Sequence, residues 1–175
     1  WGVLALLILG ALLGRVPGDG PLRPLLAGAG QALSRLPRAQ WAALMGAVAF
    51  ALAWAVQVGI YENLLTHPDE MVSLVHARYL AAGLLGGEMP ADPAFWLTIN
   101  AVASPVGWVS QYPPGHLVVL ALGVLMGVPL LVGPVCSGLG VTFYALSADR
   151  LLPGRRTAAR LGILLLALSP FLAII

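Results

Sequence analysis

Residues 41–60 read WAALMGAVAFALAWAVQVGI, twenty consecutive residues without a charged side chain. An α-helix of that length extends about 30 Å, which is the thickness of the hydrocarbon core of a bilayer. Trp41 and Tyr61 bracket the segment, as aromatic side chains commonly do at the two membrane interfaces. We therefore predict a transmembrane helix at 41–60. This helix restricts the fold to that of a membrane protein, in which helices satisfy their own backbone hydrogen bonds.

The composition supports the same class. Of the 175 residues 59% are hydrophobic and 9% are charged, whereas roughly a quarter of the residues of a soluble domain are charged. The basic residues lie in loops without a long cluster, which argues against nucleic acid as a partner. We predict an all-α, polytopic transmembrane helical bundle, multi-pass in the cell (inner or plasma) membrane. Because apolar segments lie at both ends of the sequence, we interpret it as a fragment of a longer protein.

The alternation of apolar and polar segments predicts the domain organisation. Residues 1–14 form an apolar stub, interpreted as a truncated helix. Residues 15–40 carry four Arg against one acid and are predicted to be a cytoplasmic loop by the positive-inside rule. An external loop is predicted at 61–113. Together with 41–60, the membrane domain over 41–175 has predicted spans at about 114–131, 134–151 and 159–175. The turn between the two middle spans is predicted near Val132–Pro134, with a break at Val128–Pro129 as the alternative.

One segment conflicts with this topology. Three crossings after the first loop place residues 153–160 outside, although PGRRTAAR is basic. A single crossing between 114 and 151 would remove the conflict, but that apolar stretch is too long for one helix. We therefore predict two crossings there, with a local departure from the positive-inside rule.

The external loop contains the polar stretch THPDEMVSLVHARYLAAG, residues 66–83. Thr66 is predicted to cap a helix that has Pro68 in its first turn and stops at Gly83. An apolar set recurs on one side of this helix and a polar set on another. The apolar set is Val72, Val75, Tyr79 and Ala82, and the polar set is Asp69, Ser73 and His76. We predict a short amphipathic juxtamembrane helix whose polar side faces an aqueous cleft.

The titratable residues of this loop admit two interpretations. Asp69 and Glu70 either stabilise the positive end of the helix dipole or do chemistry. Arg78 either reaches lipid headgroups or contacts a phosphate. His67 and His76 are polar surface residues or, with the two acids, ligands of a divalent metal. Their spacing matches no well-defined metal motif.

Several short motifs follow one another in a characteristic order. The Asp69–Glu70 pair comes after the first outward helix. The later motifs are ARYLAAG at 77–83, YPPGH at 112–116, LVVLALGVLMG at 117–127 and ALSP at 167–170. Over residues about 41–175 this arrangement resembles the N-terminal part of the GT-C glycosyltransferase superfamily. It is similar to the bacterial relatives of protein O-mannosyltransferases and of the lipid A aminoarabinose transferase.

The resemblance implies an enzyme that moves a sugar from a polyprenyl-phosphate donor to a hydroxyl of a glycan, lipid or protein, with inversion at C1. It implies Asp69 as general base on the external face, with Glu70 beside it. The substrate-binding candidates are Arg78, His67, His76, Tyr112 and His116. The family often has Lys where this chain has Tyr112. No cofactor is assigned, and a divalent metal is the alternative.

Two other classes of function stay open at this point. A transporter or channel component would carry acids within its spans, and the predicted spans contain almost none. A non-catalytic membrane assembly subunit would need none of the loop chemistry. A membrane protease is disfavoured, since the sequence has neither a Ser/His pair nor an HExxH motif.

Overall fold

The computed structural model describes residues 35–65, 67–88, 100–152, 154 and 156–169. Over these residues the chain is mostly helical, with five α-helices and one two-stranded sheet. The elements are α1 Arg38–Gly59, α2 Pro68–Ala81, β1 Ala101–Ser104, β2 Gly107–Ser110, α3 Pro114–Leu125, α4 Val132–Leu151 and α5 Arg156–Ala167. The apolar stub predicted at 1–14, most of the loop predicted at 15–40 and the end of the span predicted at 159–175 lie outside the described residues.

The chain divides into two compact units. The first, called here the helix unit, joins the chain up to Ala53 with the chain from Cys136 onwards. The second, called the loop unit, is Trp54–Val135. Helices α1 and α4 each contribute residues to both units.

Two segments of the described chain are long and apolar enough to cross a membrane, by length and composition. They are Arg38–Gly59 and Pro129–Ala148, with mean hydropathies of 1.8 and 1.6. The first contains nearly all of the segment predicted at 41–60. The second combines a 3₁₀ turn, Pro129–Leu131, with most of α4.

The segment predicted as a span at 114–131 is instead the 12-residue helix α3, which ends at Leu125. Gly127 adopts a left-handed φ of 75°. Its N–H donates to the carbonyl of Val124, and the N–H of Val128 donates to the carbonyl of Gly123. These two bonds are the Schellman pattern that terminates a helix, and Pro129 follows it. At about 18 Å, α3 is shorter than the hydrocarbon core.

The helix unit is held by small side chains between α1 and α4. A Cβ atom at Gly46 would lie 2.7 Å from the carbonyl oxygen of Gly138, and one at Gly138 would lie 2.9 Å from that of Gly46. Arg38 of α1 binds the carbonyl oxygen of Leu146 on α4, so the two helices run antiparallel. Such close approach through small residues is typical of helix pairs in membranes. The surrounding core comprises Trp41, Ala42, Met45, Ala49, Val141, Ala145, Ala148, Ala159, Ile163 and Ala167.

The loop unit packs α2 against α3 and adds a hairpin. Its apolar core contains Leu74, Ala77, Leu120, Ala121 and Val132. Strands β1 and β2 pair antiparallel, with Ala101 opposite Ser110 and Ser104 opposite Gly107. The expectation of an all-α chain is therefore wrong for this segment. The physical reason is the two-residue connection Pro105–Val106 followed by Gly107 at φ 107°, which reverses the chain between the two strands.

Helix α2 lies where the sequence predicts a helix. It begins with Pro68 at its first position, and it is closed by Gly83, whose φ is 81°. The N-cap position belongs to His67, whose side chain makes no capping hydrogen bond. Thr66, predicted as the cap, lies outside the described residues.

Candidate active site around Asp69

Asp69 lies in the first turn of α2 and is held by two side chains from the hairpin region. Its Oδ1 accepts a 2.7 Å hydrogen bond from Nδ2 of Asn100, and its Oδ2 accepts a 2.6 Å hydrogen bond from the Tyr112 hydroxyl. The carboxylate is nevertheless exposed. Each carboxylate oxygen retains a lone pair for a further donor. The group is therefore fixed in orientation and open to a ligand.

The hairpin explains why these residues meet. Asn100 directly precedes β1, while Gln111 and Tyr112 directly follow β2, so the antiparallel register brings all three to one end of the sheet. The Gln111 N–H donates to the backbone carbonyl of Asn100, and Nε2 of Gln111 lies 3.3 Å from Oδ1 of Asn100. Asn100 is only 8% exposed. Its Nδ2 binds Asp69, and its Oδ1 lies within hydrogen-bond distance of Gln111 Nε2 and of the Tyr112 hydroxyl, at 3.2 Å from the latter.

The carboxylate also acts on Tyr112. The hydrogen bond to Asp69 raises the pKa of the Tyr112 phenol above its ordinary value of 10.0, and burial adds to the effect. The phenol therefore keeps its proton at neutral pH and serves as a donor to Asp69. We refer to Asp69, Asn100, Gln111 and Tyr112 as the carboxylate cluster.

His76 lies on the same side of α2 as Asp69, but it is buried, with 6% exposure. Its Nδ1 accepts the Ser110 N–H at 3.1 Å, and its Nε2 lies 3.0 Å from the carbonyl oxygen of Leu85. This network requires the neutral tautomer with the proton on Nε2. Both nitrogens are used to tie α2 to β2 and to the chain after α2.

The polar side of α2 was predicted to face an aqueous cleft. In the structure most of this side is covered. Ser73 and His76 are buried, and only Asp69 at the helix start is exposed. The sequence showed that these residues share one side of the helix. It did not reveal that a hairpin with its own polar groups would cover that side.

Trp108 on β2 completes the contact between α2 and the hairpin. Its ring meets that of Tyr79 edge-on at 5.6 Å and that of His76 at 6.1 Å. Gly87 pairs with Trp108 through two backbone hydrogen bonds of 2.9 and 3.0 Å. A Cβ atom at Gly87 would collide with the indole ring. Glycine here lets the chain after α2 lie flat on the tryptophan.

The remaining predicted site residues are spread over the loop unit. His67, Arg78 and His116 are exposed, and Glu70 is half-buried. Arg78 follows Asp69 by nine positions, which is about half a turn around the helix and roughly 13 Å along it. Of the predicted set, the structure brings Asp69 and Tyr112 into contact. It adds Asn100 and Gln111, which were not among the predicted residues; the signal in the sequence was a pair of amides flanking the short segment 101–110.

Within the described residues, no three His, Cys, Asp or Glu side chains are grouped so as to hold a metal ion. The chemistry of the carboxylate cluster is that of an oriented acceptor. It can accept a hydrogen bond, or a proton, from a hydroxyl that approaches Asp69 from solvent.

Comparison of the chain with protein-family models, with curated proteins and with solved structures found no match.

Proposed function

We propose that this chain is the N-terminal part of an integral-membrane glycosyltransferase of the GT-C type. It moves a sugar from a polyprenyl-phosphate donor to an acceptor hydroxyl on the external face, with Asp69 as general base. The observation that carries the proposal is the exposed Asp69 carboxylate, held by Asn100 and Tyr112. A base must lie within hydrogen-bond reach of the proton it takes, and an oriented carboxylate open to solvent meets that condition.

The proposed reaction is a single displacement at the sugar C1. The acceptor oxygen forms a bond to C1 while the bond from C1 to the phosphate oxygen breaks, and the electron pair leaves with the lipid phosphate. The acceptor proton passes to Asp69. Because the incoming oxygen attacks opposite to the leaving phosphate, the configuration at C1 is inverted. The phosphate is a good leaving group, so most of the assistance is needed by the acceptor.

The membrane placement belongs to the same proposal. Helices α1 and α4 cross the bilayer as an antiparallel pair, whereas α3 is too short to cross. Residues 60–131 then lie on one side, and both arginine-rich segments, 35–38 and 150–160, lie on the other. This single crossing after the loop removes the conflict with the positive-inside rule that the predicted spans created. Residues 60–131 are external, and the chain is multi-pass in the cell membrane.

The other site residues take reduced roles. Tyr112 positions the base, and in this chain its hydroxyl contacts Asp69 where the family often has Lys. We propose a positioning role for His76 in place of substrate binding, because both of its nitrogens have backbone partners. Arg78, His67 and His116 remain exposed candidates for the donor phosphate or the acceptor. Glu70 is the adjacent acid.

The test is an Asp69→Asn variant of the full-length protein. Membranes are supplied with radiolabelled mannosyl- or aminoarabinosyl-polyprenyl phosphate, and incorporated sugar is measured. General base catalysis contributes about 10²–10⁴-fold, so transfer is expected to fall at least 100-fold. The control is Glu88→Gln, an equivalent loss of an exposed carboxylate in the same unit. Near-normal transfer by Asp69→Asn with equal membrane insertion would refute the assigned base. Equal losses in both variants would indicate a general effect of loop charge.

A further inference from the structure

The described arginines of the helix unit gather at one end of it. Arg38 begins α1, Arg150 lies in the last turn of α4, and α5 begins with Arg156. The carbonyl oxygen of Leu36 accepts hydrogen bonds from Arg156 at 3.1 Å and from Arg160 at 2.7 Å. These contacts draw the starts of α1 and α5 together. We call this region the arginine end. It comprises Arg35, Arg38, Arg150, Arg156 and Arg160.

A groove of about 440 Å³ opens between α1 and α4 at this end. Its lining is Arg38, Ala39, Phe143, Leu146, Ser147 and Arg150. Two guanidinium groups therefore share one groove with an apolar wall. Phe143 is 64% exposed, so its ring is available to an apolar chain. No acidic side chain is among these lining residues.

Arg38 has hydrogen-bonding capacity left over. One of its terminal nitrogens donates to the carbonyl oxygen of Leu146, which holds the guanidinium across α4. Its Nε is buried and has no hydrogen-bond partner among the described residues. A buried N–H without an acceptor destabilises the fold. The contact with Leu146 therefore holds the positive charge of Arg38 at the lining of the groove.

The backbone adds donors at the same place. The N–H of Trp41 bonds to the carbonyl of Pro37, so Pro37 is the N-cap of α1 and Ala39, which lines the groove, belongs to its first turn. The N–H groups of a first turn have no intrahelical acceptor, and the helix dipole favours an anion there. The end of the antiparallel α4 carries the opposite partial charge, and Arg150 in its last turn offsets it.

We propose that this groove binds the phosphate group of an anionic amphiphile, with Arg38 and Arg150 on the phosphate and Phe143 against the apolar chain. Arginine matches phosphate through paired, charge-assisted hydrogen bonds. The proposed membrane placement puts this end of α1 and α4 at the cytoplasmic headgroup level, where such lipids are found. The inference depends on that placement and is independent of sugar transfer.

The test uses the full chain in neutral detergent, with retention of phosphatidic acid measured by native mass spectrometry against phosphatidylcholine. The wild-type protein is expected to retain phosphatidic acid about tenfold more strongly. Arg150→Gln removes an exposed guanidinium of the groove and is expected to reduce retention about tenfold. Arg35→Gln is the matched control, since Arg35 is exposed at the same end but does not line the groove. It is expected to change retention less than twofold.

Inorganic phosphate as competitor distinguishes the two sources of the ligand group. Displacement of phosphatidic acid by millimolar phosphate would show that the groove recognises phosphate alone. Resistance to that competitor would show that the acyl chain contributes to the site. Equal losses for Arg35→Gln and Arg150→Gln, or no preference over phosphatidylcholine, would overturn the proposal. Asp69→Asn is expected to retain the lipid fully, so failure of the groove and failure of the catalytic assignment give different results.

Discussion

The helix unit and the loop unit are stabilised by different interactions. In the helix unit α1 and α4 approach through Gly46 and Gly138, and the core is made of alanines with a few larger apolar residues. In the loop unit the two short helices share a small apolar core, and the hairpin is attached through His76 and the carboxylate cluster. Steric fit is critical in the first unit, and hydrogen-bond complementarity is critical in the second.

This contrast separates stability from chemistry. The described arginines of the helix unit lie at one end of it, and its core is apolar. The loop unit holds an exposed carboxylate by means of a buried amide and a phenol. A substitution in one unit is therefore expected to leave the function of the other unchanged, which each of the following experiments tests.

The largest effect is expected for Gly46→Leu. The new side chain would overlap Thr142 and the Gly138 carbonyl, and overpacking of this kind destabilises by about 1–3 kcal/mol, occasionally more. We expect the upper end of that range, because the obstacle includes backbone. Thermal unfolding in detergent measures the change. Gly140→Leu is the control, since a Cβ there meets nothing within 4 Å. Equal melting temperatures for the two variants would contradict close packing of α1 on α4.

His76→Leu is expected to have the next largest effect, confined to the loop unit. The Ser110 N–H loses its acceptor, and the Leu85 carbonyl loses its donor. An unsatisfied buried polar group lowers the free energy of unfolding by about 1–3 kcal/mol. Hydrogen exchange of the Ser110 amide should accelerate accordingly, while exchange in residues 41–49 stays unchanged. His67→Leu, at an exposed position, is the control. Unchanged protection of Ser110 would show that His76 does not hold the hairpin.

Parts of the fold follow directly from local sequence. The uncharged run at 41–60 corresponds to α1, and Pro68 and Gly83 delimit α2 as predicted. The end of α3 at Leu125 was harder to predict, because the apolar run continues through Gly127 to Leu131. Hydropathy does not indicate that Gly127 adopts a left-handed conformation, which is what ends the helix. The hairpin was missed because its strands have only four residues each, and their pairing depends on a turn and on contacts with α2.

The site was predictable only in part for a similar reason. The position of Asp69 in a first turn follows from Pro68, so the sequence places the carboxylate on the helix. Its partners Asn100 and Tyr112 are 31 and 43 positions away. No periodicity connects residues at such separations. Their meeting depends on the register of β1 and β2, which only the folded chain defines.

A smaller effect is expected on the titration of Tyr112. Because its pKa is raised in the folded chain, the stabilisation from its hydrogen bond is fully present below pH 10.0 and is lost as the pH rises through the folded value. The difference in phenolate absorbance between the wild type and Tyr112→Phe isolates this residue. In Asp69→Asn its midpoint should move down towards the ordinary value. An unchanged midpoint would show that Asp69 and Tyr112 are not coupled.

The most direct test determines which side of the membrane is faced by Glu88 in the loop unit and which by Thr157 at the arginine end. In a Cys136→Ser background, single cysteines are placed at Glu88 in the loop unit and at Thr157 at the arginine end, both exposed positions. Intact cells are treated with a membrane-impermeant thiol reagent before and after lysis. The account predicts that the cysteine at 88 is labelled in intact cells and that the cysteine at 157 is labelled only after lysis. Labelling of both from the same side would contradict it.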